Sequence, residues 1–151
     1  MAGSVYTYNP AEVAVIVGGV ALSGFAEDSI VSVSRDVQAY EKVTGADGRT
    51  SRARNPNKAG TITISLQHSS PSNDVLQAVA LLDEASDAGV VPVIVRDGSG
   101  TSVHFTASAW VQKVPDSVRG TGISTVEWVL DCAEIDMFVG GNTEQRGANI
   151  E

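Results

Sequence analysis

A run of basic side chains between residues 42 and 58 is the part of this sequence whose charge is best suited to binding a partner. Half of the ten Lys and Arg residues lie there beside one acid, so the segment carries +4; because the whole chain carries −8, the remainder carries −12. The basic residues are Lys42, Arg49, Arg52, Arg54 and Lys58. Guanidinium and ammonium groups bind carboxylates or phosphates. The segment could therefore bind an acidic protein surface or nucleic acid.

The acidic remainder of the chain favours the first of these two interpretations. A basic segment and an acidic body are complementary surfaces, as self-assembly through heterologous contacts requires. We therefore expect Arg49, Arg52, Arg54 and Lys58 to contact acidic side chains of an adjacent copy of the chain. A pI near 4.6 argues against duplex DNA or an anionic membrane as a partner of the body.

The remaining chemically capable side chains do not form a recognisable catalytic or metal-binding pattern. His68 and His104 have no ligand-type residue at a suitable spacing, which is typical of surface or interface histidines. Cys132 lies on the apolar side of an alternating run, as a buried small hydrophobe does. The acids Asp83, Glu84 and Asp87 are expected on a solvated or intersubunit face of a helix. We expect no enzyme activity, no cofactor and no metal.

The hydrophobic periodicity predicts a single mainly β domain over residues 1–151. Alternating segments indicate about eight to ten strands, and residues 72–88 indicate one amphipathic helix packed on a sheet. In that helix Val75, Leu76, Val79 and Leu82 form the expected apolar stripe, and Gly89 suits the position after its end. This combination predicts a β-barrel or β-sandwich with one helix.

Two segments of this domain lack an apolar period. Residues 44–59 contain Gly, Pro and polar residues, and we expect a long basic loop that is ordered only by a partner. Residues 140–151 are polar, and we expect a mobile or partner-ordered C-terminal tail. The apolar run at 13–22 is too short to span a bilayer and no basic residue precedes Arg35, so we expect neither a membrane anchor nor a signal peptide, and synthesis in the cytoplasm.

The clearest strand has an unusually uncharged polar face. Residues 61–67 alternate strictly, with Ile62, Ile64 and Leu66 on one side. The other side carries Thr61, Thr63, Ser65 and Gln67, and a later strand offers a similar set in Ser102, His104, Thr106 and Ser108. A freely solvated sheet face often carries Lys and Glu, so we expect these faces to lie against another subunit or to line a channel.

In their order along the chain, several short motifs resemble the tail tube proteins of contractile-tailed bacteriophages. The resemblance runs from about residue 8 to residue 115. The matching segments are Tyr8-Asn9-Pro10, Gly18 with Gly24-Phe25, Gly45-Ala46-Asp47-Gly48 followed by Arg54, Gly60 to Leu66, Ser70 to Leu76, Asp97-Gly98 and Ala109-Trp110. The last dozen residues have no counterpart in the pattern.

The resemblance implies a β-barrel-like subunit with one helix that assembles into hexameric rings. The rings stack into a hollow tube inside a contractile sheath, and the same fold forms the tube of type VI secretion systems. Implied partners are other copies of the chain and the sheath, baseplate and tail terminator proteins, while DNA passes through the lumen without specific binding. The implied location is the virion. The alternatives are a tail completion or baseplate adaptor protein and a β-sandwich carbohydrate-binding module.

Overall fold

The computed structural model describes residues 5–142 and 144–145. Its helix α1 spans Ser72–Ser86, and a short 3₁₀ turn spans Pro10–Glu12. The strands are β1 (Val5–Tyr6), β2 (Val13–Val17), β3 (Val20–Ala21), β4 (Val31–Arg35), β5 (Tyr40–Thr44), β6 (Thr50–Arg54), β7 (Gly60–Gln67), β8 (Val91–Asp97), β9 (Val103–Lys113), β10 (Thr125–Cys132), β11 (Asp136–Phe138) and β12 (Glu144–Gln145).

Eight of these strands form one antiparallel sheet that curls around the core. Its order is β3-β2-β8-β9-β10-β7-β4, and β11 adds to β9. The segment after β3 crosses to the opposite end of the sheet, where Phe25 bridges to Leu66 and the Ala26 N–H donates to the Ser65 carbonyl at 2.9 Å. The predicted mainly β fold with one packed helix is confirmed, and two further two-stranded sheets, β1-β12 and β5-β6, extend from it.

The core lies inside the curled sheet and is built from the period-two apolar residues that the sequence shows. From β7 it receives Ile62, Ile64 and Leu66, all essentially inaccessible to solvent, and from β10 Trp128 and Leu130. Cys132 is also buried there, as expected, and burial raises the pKa of its thiol. This strand pair is in full register over eight residues, from Thr125 opposite Gln67 to Cys132 opposite Gly60.

Helix α1 packs on the core through a narrower stripe than predicted. Leu76 is fully buried and Ala80 nearly so, whereas Leu82 is 49% exposed. Leu82 follows Leu76 by six residues, which places it about 120° around the helix from the buried stripe. The helix ends at Asp87, which adopts a left-handed conformation with φ of 56°, so Gly89 does not occupy the predicted position.

One amide side chain fixes the start of the helix against the sheet. The Nδ2 group of Asn73 donates to the carbonyls of Gln67, His68 and Ser70, and its Oδ1 accepts from the indole N–H of Trp128 at 2.9 Å. Because a buried indole N–H without an acceptor is costly, Asn73 ties the helix to the core strand β10. The sequence pattern gave no indication of this role.

Strand β9 is turned opposite to its expected orientation over its first half. Thr106 is buried opposite Val93, and His104 lies opposite Val95, so both point inward, while Val103 and Phe105 point out. A register shift between Val91 and Val93 then returns Ala109 to the core. The expectation that Ser102, His104, Thr106 and Ser108 form an outer polar face is therefore wrong for His104 and Thr106.

His104 lines a cavity at the open side of the curled sheet. The cavity has a volume of about 500 Å³ and also contacts Val33, Glu27, Asp28 and Asp97. Among the described residues, the buried Nδ1 atom of His104 has no hydrogen-bond partner. Burial lowers the pKa of His104 below its usual range.

The C-terminal residues that the structure describes are hydrogen-bonded rather than free. The Gly140 N–H donates to Ser102 Oγ at 2.9 Å, the Thr101 N–H donates to the Gly141 carbonyl, and β12 pairs with β1. At these positions the chain contacts the body, and the mobile or partner-ordered state of the tail stays a prediction. Its remaining residues, 143 and 146–151, lie outside the described part of the chain.

We expect Leu76→Ala to lower the free energy of unfolding by about 2–5 kcal/mol, because it leaves a cavity in the core. Leu82→Ala removes the same atoms from an exposed site on the same helix, and we expect a change within about 0.5 kcal/mol. Urea unfolding followed by circular dichroism measures both. Equal effects of the two substitutions would show that the helix is rotated relative to this packing.

We also expect His104 to make stability depend on pH. In the unfolded chain its pKa returns to about 6.5, so below that pH the unfolded state binds more protons than the folded state and the free energy of unfolding falls. His104→Gln should lose less unfolding free energy than the wild type as the pH falls from about 7 to about 5. Urea unfolding at several pH values tests this, and parallel curves for the two proteins would contradict it.

Candidate functional site: an exposed arm and one sheet face

Residues 44–59, which were expected to form a loop, contain the turn and the second strand of an exposed β-hairpin. Strands β5 and β6 pair from Tyr40 opposite Arg54 to Thr44 opposite Thr50. We call residues 40–54 the arm. Its tight turn depends on Gly48, whose φ of 83° favours glycine, and on Asp47, whose carboxylate accepts from the Arg49 N–H. Every residue of β5 and β6 is exposed.

The arm continues the β4-β7 hairpin of the body beyond an interruption in the pairing. Across that interruption the Asp36 N–H donates to the Ala59 carbonyl, and the Asn55 N–H donates to the Ala39 carbonyl at 2.7 Å. Its base is held by Arg35, whose guanidinium donates to the Ile135 carbonyl at 2.9 Å. Gly60 allows this close approach, since a Cβ there would overlap the Ile135 side chain. The body therefore fixes where the arm begins.

Alternation along the two strands gives the arm a cationic face. Directly paired residues of antiparallel strands project to the same side, so Lys42 lies beside Arg52, and Tyr40 beside Arg54. The Arg52 guanidinium lies 4.2 Å from the centroid of the Tyr40 ring, as in a cation–π contact. We call Tyr40, Lys42, Arg52 and Arg54 the cationic face. Its three cations make it the strongest concentration of positive charge on the arm.

The structure brings together only part of the predicted basic set. Arg52 and Arg54 share the cationic face, and Arg49 follows the turn at the tip of the arm. Lys58 instead lies on the body, where its ammonium group is 3.9 Å from the Asp136 carboxylate. Lys42 is paired with Arg52 across the two strands and so belongs to the same face, although the two residues are ten positions apart in the sequence.

The second predicted surface is the outer face of β4, β7 and β10. Thr63 lies between Ser32 and Val129, and Thr61 lies between Ser34 and Asp131. We call this the hydroxyl face, and its members are Ser32, Ser34, Thr61, Thr63, Ser65, Gln67, Thr125, Glu127, Val129 and Asp131. Most of its side chains are small and polar. It contains two acids and no Lys or Arg, so its net charge is negative.

The accessibility of the hydroxyl face varies along β7. Thr61, Thr63 and Gln67 are partly exposed, whereas Ser65 is only 7% exposed. Ser65 donates its N–H to the Ile30 carbonyl and accepts from the Ala26 N–H, so the crossing segment lies beside it. Of the four predicted residues, Ser65 is therefore the least available to a partner in the isolated subunit.

The described residues contain neither a metal-binding cluster nor a membrane-spanning helix. No group of three or more His, Cys, Asp or Glu side chains among them is arranged to hold a metal ion. The helix described between residues 72 and 86 is neither long nor apolar enough to cross a membrane. The arm and the hydroxyl face are the described features whose chemistry points to a partner.

Comparison with known proteins identifies the family of this chain. A family model described as "Bacteriophage PhiTE tail tube protein" matches residues 6–140. The protein described as structural protein ORF10 of Pseudomonas phage KPP10 is 35% identical over 159 aligned positions, covering 100% of this chain and 92% of that protein.

Solved structures of contractile injection systems contain chains of the same fold. The tube-terminating cap of the anti-feeding prophage superimposes with a TM-score of 0.60 at 12% identity, covering 95% of this chain and 93% of that one. A chain of the PVC sheath-tube complex in the extended state gives 0.56 at 15% identity, covering 88% and 92%. At these identities the similarity establishes the fold, whereas the family model and the phage relative establish that the chain belongs to the phage tail tube family and is a structural protein of the virion.

Proposed function

We propose that this protein assembles into hexameric rings that stack along one axis into the tube of a contractile tail. Membership of the tail tube family supports the tube, and the fold shared with a chain of a sheath-tube complex supports a surrounding sheath. Lateral contacts close each ring, and unlike axial surfaces repeat from ring to ring. A heterologous contact that stays open along the axis generates a filament.

The observation that carries this proposal is the unsupported arm. A two-stranded hairpin alone is marginally stable in water, and β5 and β6 form a sheet of their own with every residue exposed. An adjacent ring provides the missing support. Arg52 and Arg54, with Arg49 at the tip, then contact acidic side chains of that ring, whereas Lys58 contributes at the base of the arm.

The hydroxyl face is suited to line the channel. Its threonine, serine and glutamine side chains are short and uncharged, and its charged members are the acids Glu127 and Asp131. A negative wall repels the phosphate backbone. In this proposal DNA passes along Thr61, Thr63 and Gln67, with the less exposed Ser65 between them, and is not bound specifically.

The protein acts in this assembly as a structural element without catalytic activity or a cofactor. Its partners are other copies of itself along the tube, a sheath protein around it, a baseplate protein at one end and a terminator protein at the other. The role rests on surfaces rather than on reactive groups. The one buried thiol that the structure describes, Cys132, is enclosed by the core.

A tube terminator or adaptor is the second candidate, because one of the similar folds belongs to a tube-terminating cap. A terminator forms a single ring at the end of the tube, whereas a tube protein stacks many rings. A carbohydrate-binding module has weaker support, since Trp128 is buried and cannot form a sugar-binding platform.

We expect the purified protein to form six-membered rings or tubes as its concentration is raised toward the millimolar range. Light scattering measures the mass, and negative-stain microscopy distinguishes single rings from stacked tubes. Rings that never stack would favour the terminator. A protein that stays monomeric at this concentration would contradict both assembly roles.

We expect reversal of two charges on the arm, in Arg52→Glu with Arg54→Glu, to weaken stacking more than folding. Each exposed pair contributes only about 0.2–1 kcal/mol, so the concentration needed for tubes should rise while the unfolding midpoint stays close to the wild type. Lys113→Glu with Arg119→Glu is the matched control, because it changes the net charge equally at exposed sites outside the arm. Sedimentation of assembled protein measures the effect.

The same two variants distinguish subunit binding from nucleic-acid binding. If the arm binds DNA, the wild type should retain DNA with a strong salt dependence, and the arm variant should lose that retention while assembling normally. Normal tubes combined with lost DNA retention would show that the cationic face does not stack the rings.

A further inference from the structure

The outward-facing half of β9 leaves an apolar surface on the subunit that the described part of the chain does not cover. Phe105 is 40% exposed and Phe138, on the neighbouring strand β11, is 62% exposed. Val103 lies directly opposite Phe138 and on the same side of the sheet. The inward side of the same strand carries His104 and Thr106 instead. Exposing Val103, Phe105 and Phe138 to water costs free energy in an isolated subunit, which indicates that a partner covers this side of the sheet.

This apolar side extends across the neighbouring strands and contains one cation. Ile94 lies opposite Phe105, Ile16 lies opposite Ile94, and Arg96 lies opposite Val103. We call Ile16, Ile94, Arg96, Val103, Phe105 and Phe138 the apolar sheet face. The acid beside it, Asp136, already faces Lys58 at 3.9 Å. Within the described residues, Arg96 has no ion-pair partner.

The arm has a second face whose chemistry matches this surface. Opposite to the cationic face it carries Glu41 beside Ala53 and Val43 beside Ser51. Val43 is 67% exposed. A groove of about 600 Å³ lies at the base of the arm, where Val37, Pro56, Glu41 and Ala53 line it together with polar residues that include Arg54. Beyond this base the arm has two unlike sides, with Glu41, Val43, Ser51 and Ala53 opposite the cationic face.

We propose that the Glu41, Val43 and Ala53 side of the arm packs on the apolar sheet face of a neighbouring copy. This contact rests on the proposed ring assembly and specifies which surface of the neighbour receives the arm. Val43 and Ala53 cover Val103, Phe105 and Phe138, and Glu41 pairs with Arg96. The cationic face then points away from the neighbour's sheet, toward acids elsewhere in the assembly.

Charge selects this acceptor over a second exposed apolar region of the subunit. That region surrounds Leu81 and Leu82 on α1, and the neighbouring helix residues include Asp83 and Glu84, which would repel Glu41. Packing of the apolar sheet face against its own copy would bring two Arg96 side chains together. The arm carries both an apolar side and an acid and forms a sheet of its own with every strand residue exposed, so a second copy's arm is the occupant that fits.

Cysteine cross-linking tests the contact directly. We expect a protein carrying Val43→Cys and Phe105→Cys to form a ladder of covalent oligomers in assembled tubes treated with a short bismaleimide, because each copy carries both halves of the contact. Mixing the two single variants should give dimers only. The native Cys132 is 2% exposed, so the wild type is the unreactive control.

Val43→Cys with Leu82→Cys is the matched control for the acceptor, since Leu82 is as exposed as Phe105 but lies next to the acids of α1. We expect no ladder from this pair. A ladder from it, or dimers from Phe105→Cys alone, would overturn the proposed acceptor. Equal maleimide labelling of Phe105→Cys in tubes and in free subunits would also overturn it, since the surface would then be open to another partner such as the sheath.

A charge swap gives a second, independent readout. Glu41→Arg and Arg96→Glu should each raise the protein concentration needed for assembly by roughly fivefold or more, and the combined variant should restore most of the loss. No recovery in the combined variant would refute the pairing.

The ring assembly and the contact of the arm with the apolar sheet face can be refuted separately. A protein that never assembles refutes the rings and this contact together. Tubes that depend on Arg52 and Arg54 but give no cross-link between residues 43 and 105 refute only this contact.

Discussion

The eight-residue ladder between β7 and β10 is the constraint on which the other surfaces depend. Ile62, Ile64 and Leu66 are inaccessible to solvent, so a shift of one residue would move all three out of the core and is strongly disfavoured. That register sends the opposite side chains of β7 to the hydroxyl face. Strand β7 also pairs with β4, and this pair continues into the arm. The positions of the core, the hydroxyl face and the arm therefore all depend on the register of β7.

Where the apolar pattern was strict and a buried side was available, the sequence predicted the structure correctly. Residues 61–67 lie within strand β7, and Ile62, Ile64 and Leu66 are buried on one side as their alternation predicts. The hairpin within residues 40–54 was missed because an exposed ladder needs no hydrophobic period. Its signal lay in Gly45 to Gly48, which form the tight turn, and in the alternation of Lys42, Arg52 and Arg54.

The orientation of β9 was missed for a different reason. The alternation of Val103 and Phe105 with His104 and Thr106 shows a strand with two unlike sides, but it cannot show which side is enclosed by the same chain. A register shift between Val91 and Val93 decides which side of β9 faces the core, and sequence patterns do not reveal such a shift. The sequence also did not show that Lys58 lies on the body, beside Asp136, and away from Arg52 and Arg54 on the arm.

An assembling subunit changes what a hydrophobic pattern means. In a monomer the apolar side of a strand marks the core, because water is the only alternative environment. In a subunit that meets its own copies, a second apolar side can be stable when a neighbour covers it, and the polar side can then turn inward at small cost. His104 and Thr106 fit that description: Thr106 satisfies its hydroxyl by donating to the Glu134 carbonyl at 2.7 Å, while the His104 imidazole lies at the edge of an open cavity. In the proposed assembly, the reversed strand and the exposed arm are two consequences of one property, namely that part of the stabilisation of this chain comes from contacts between subunits.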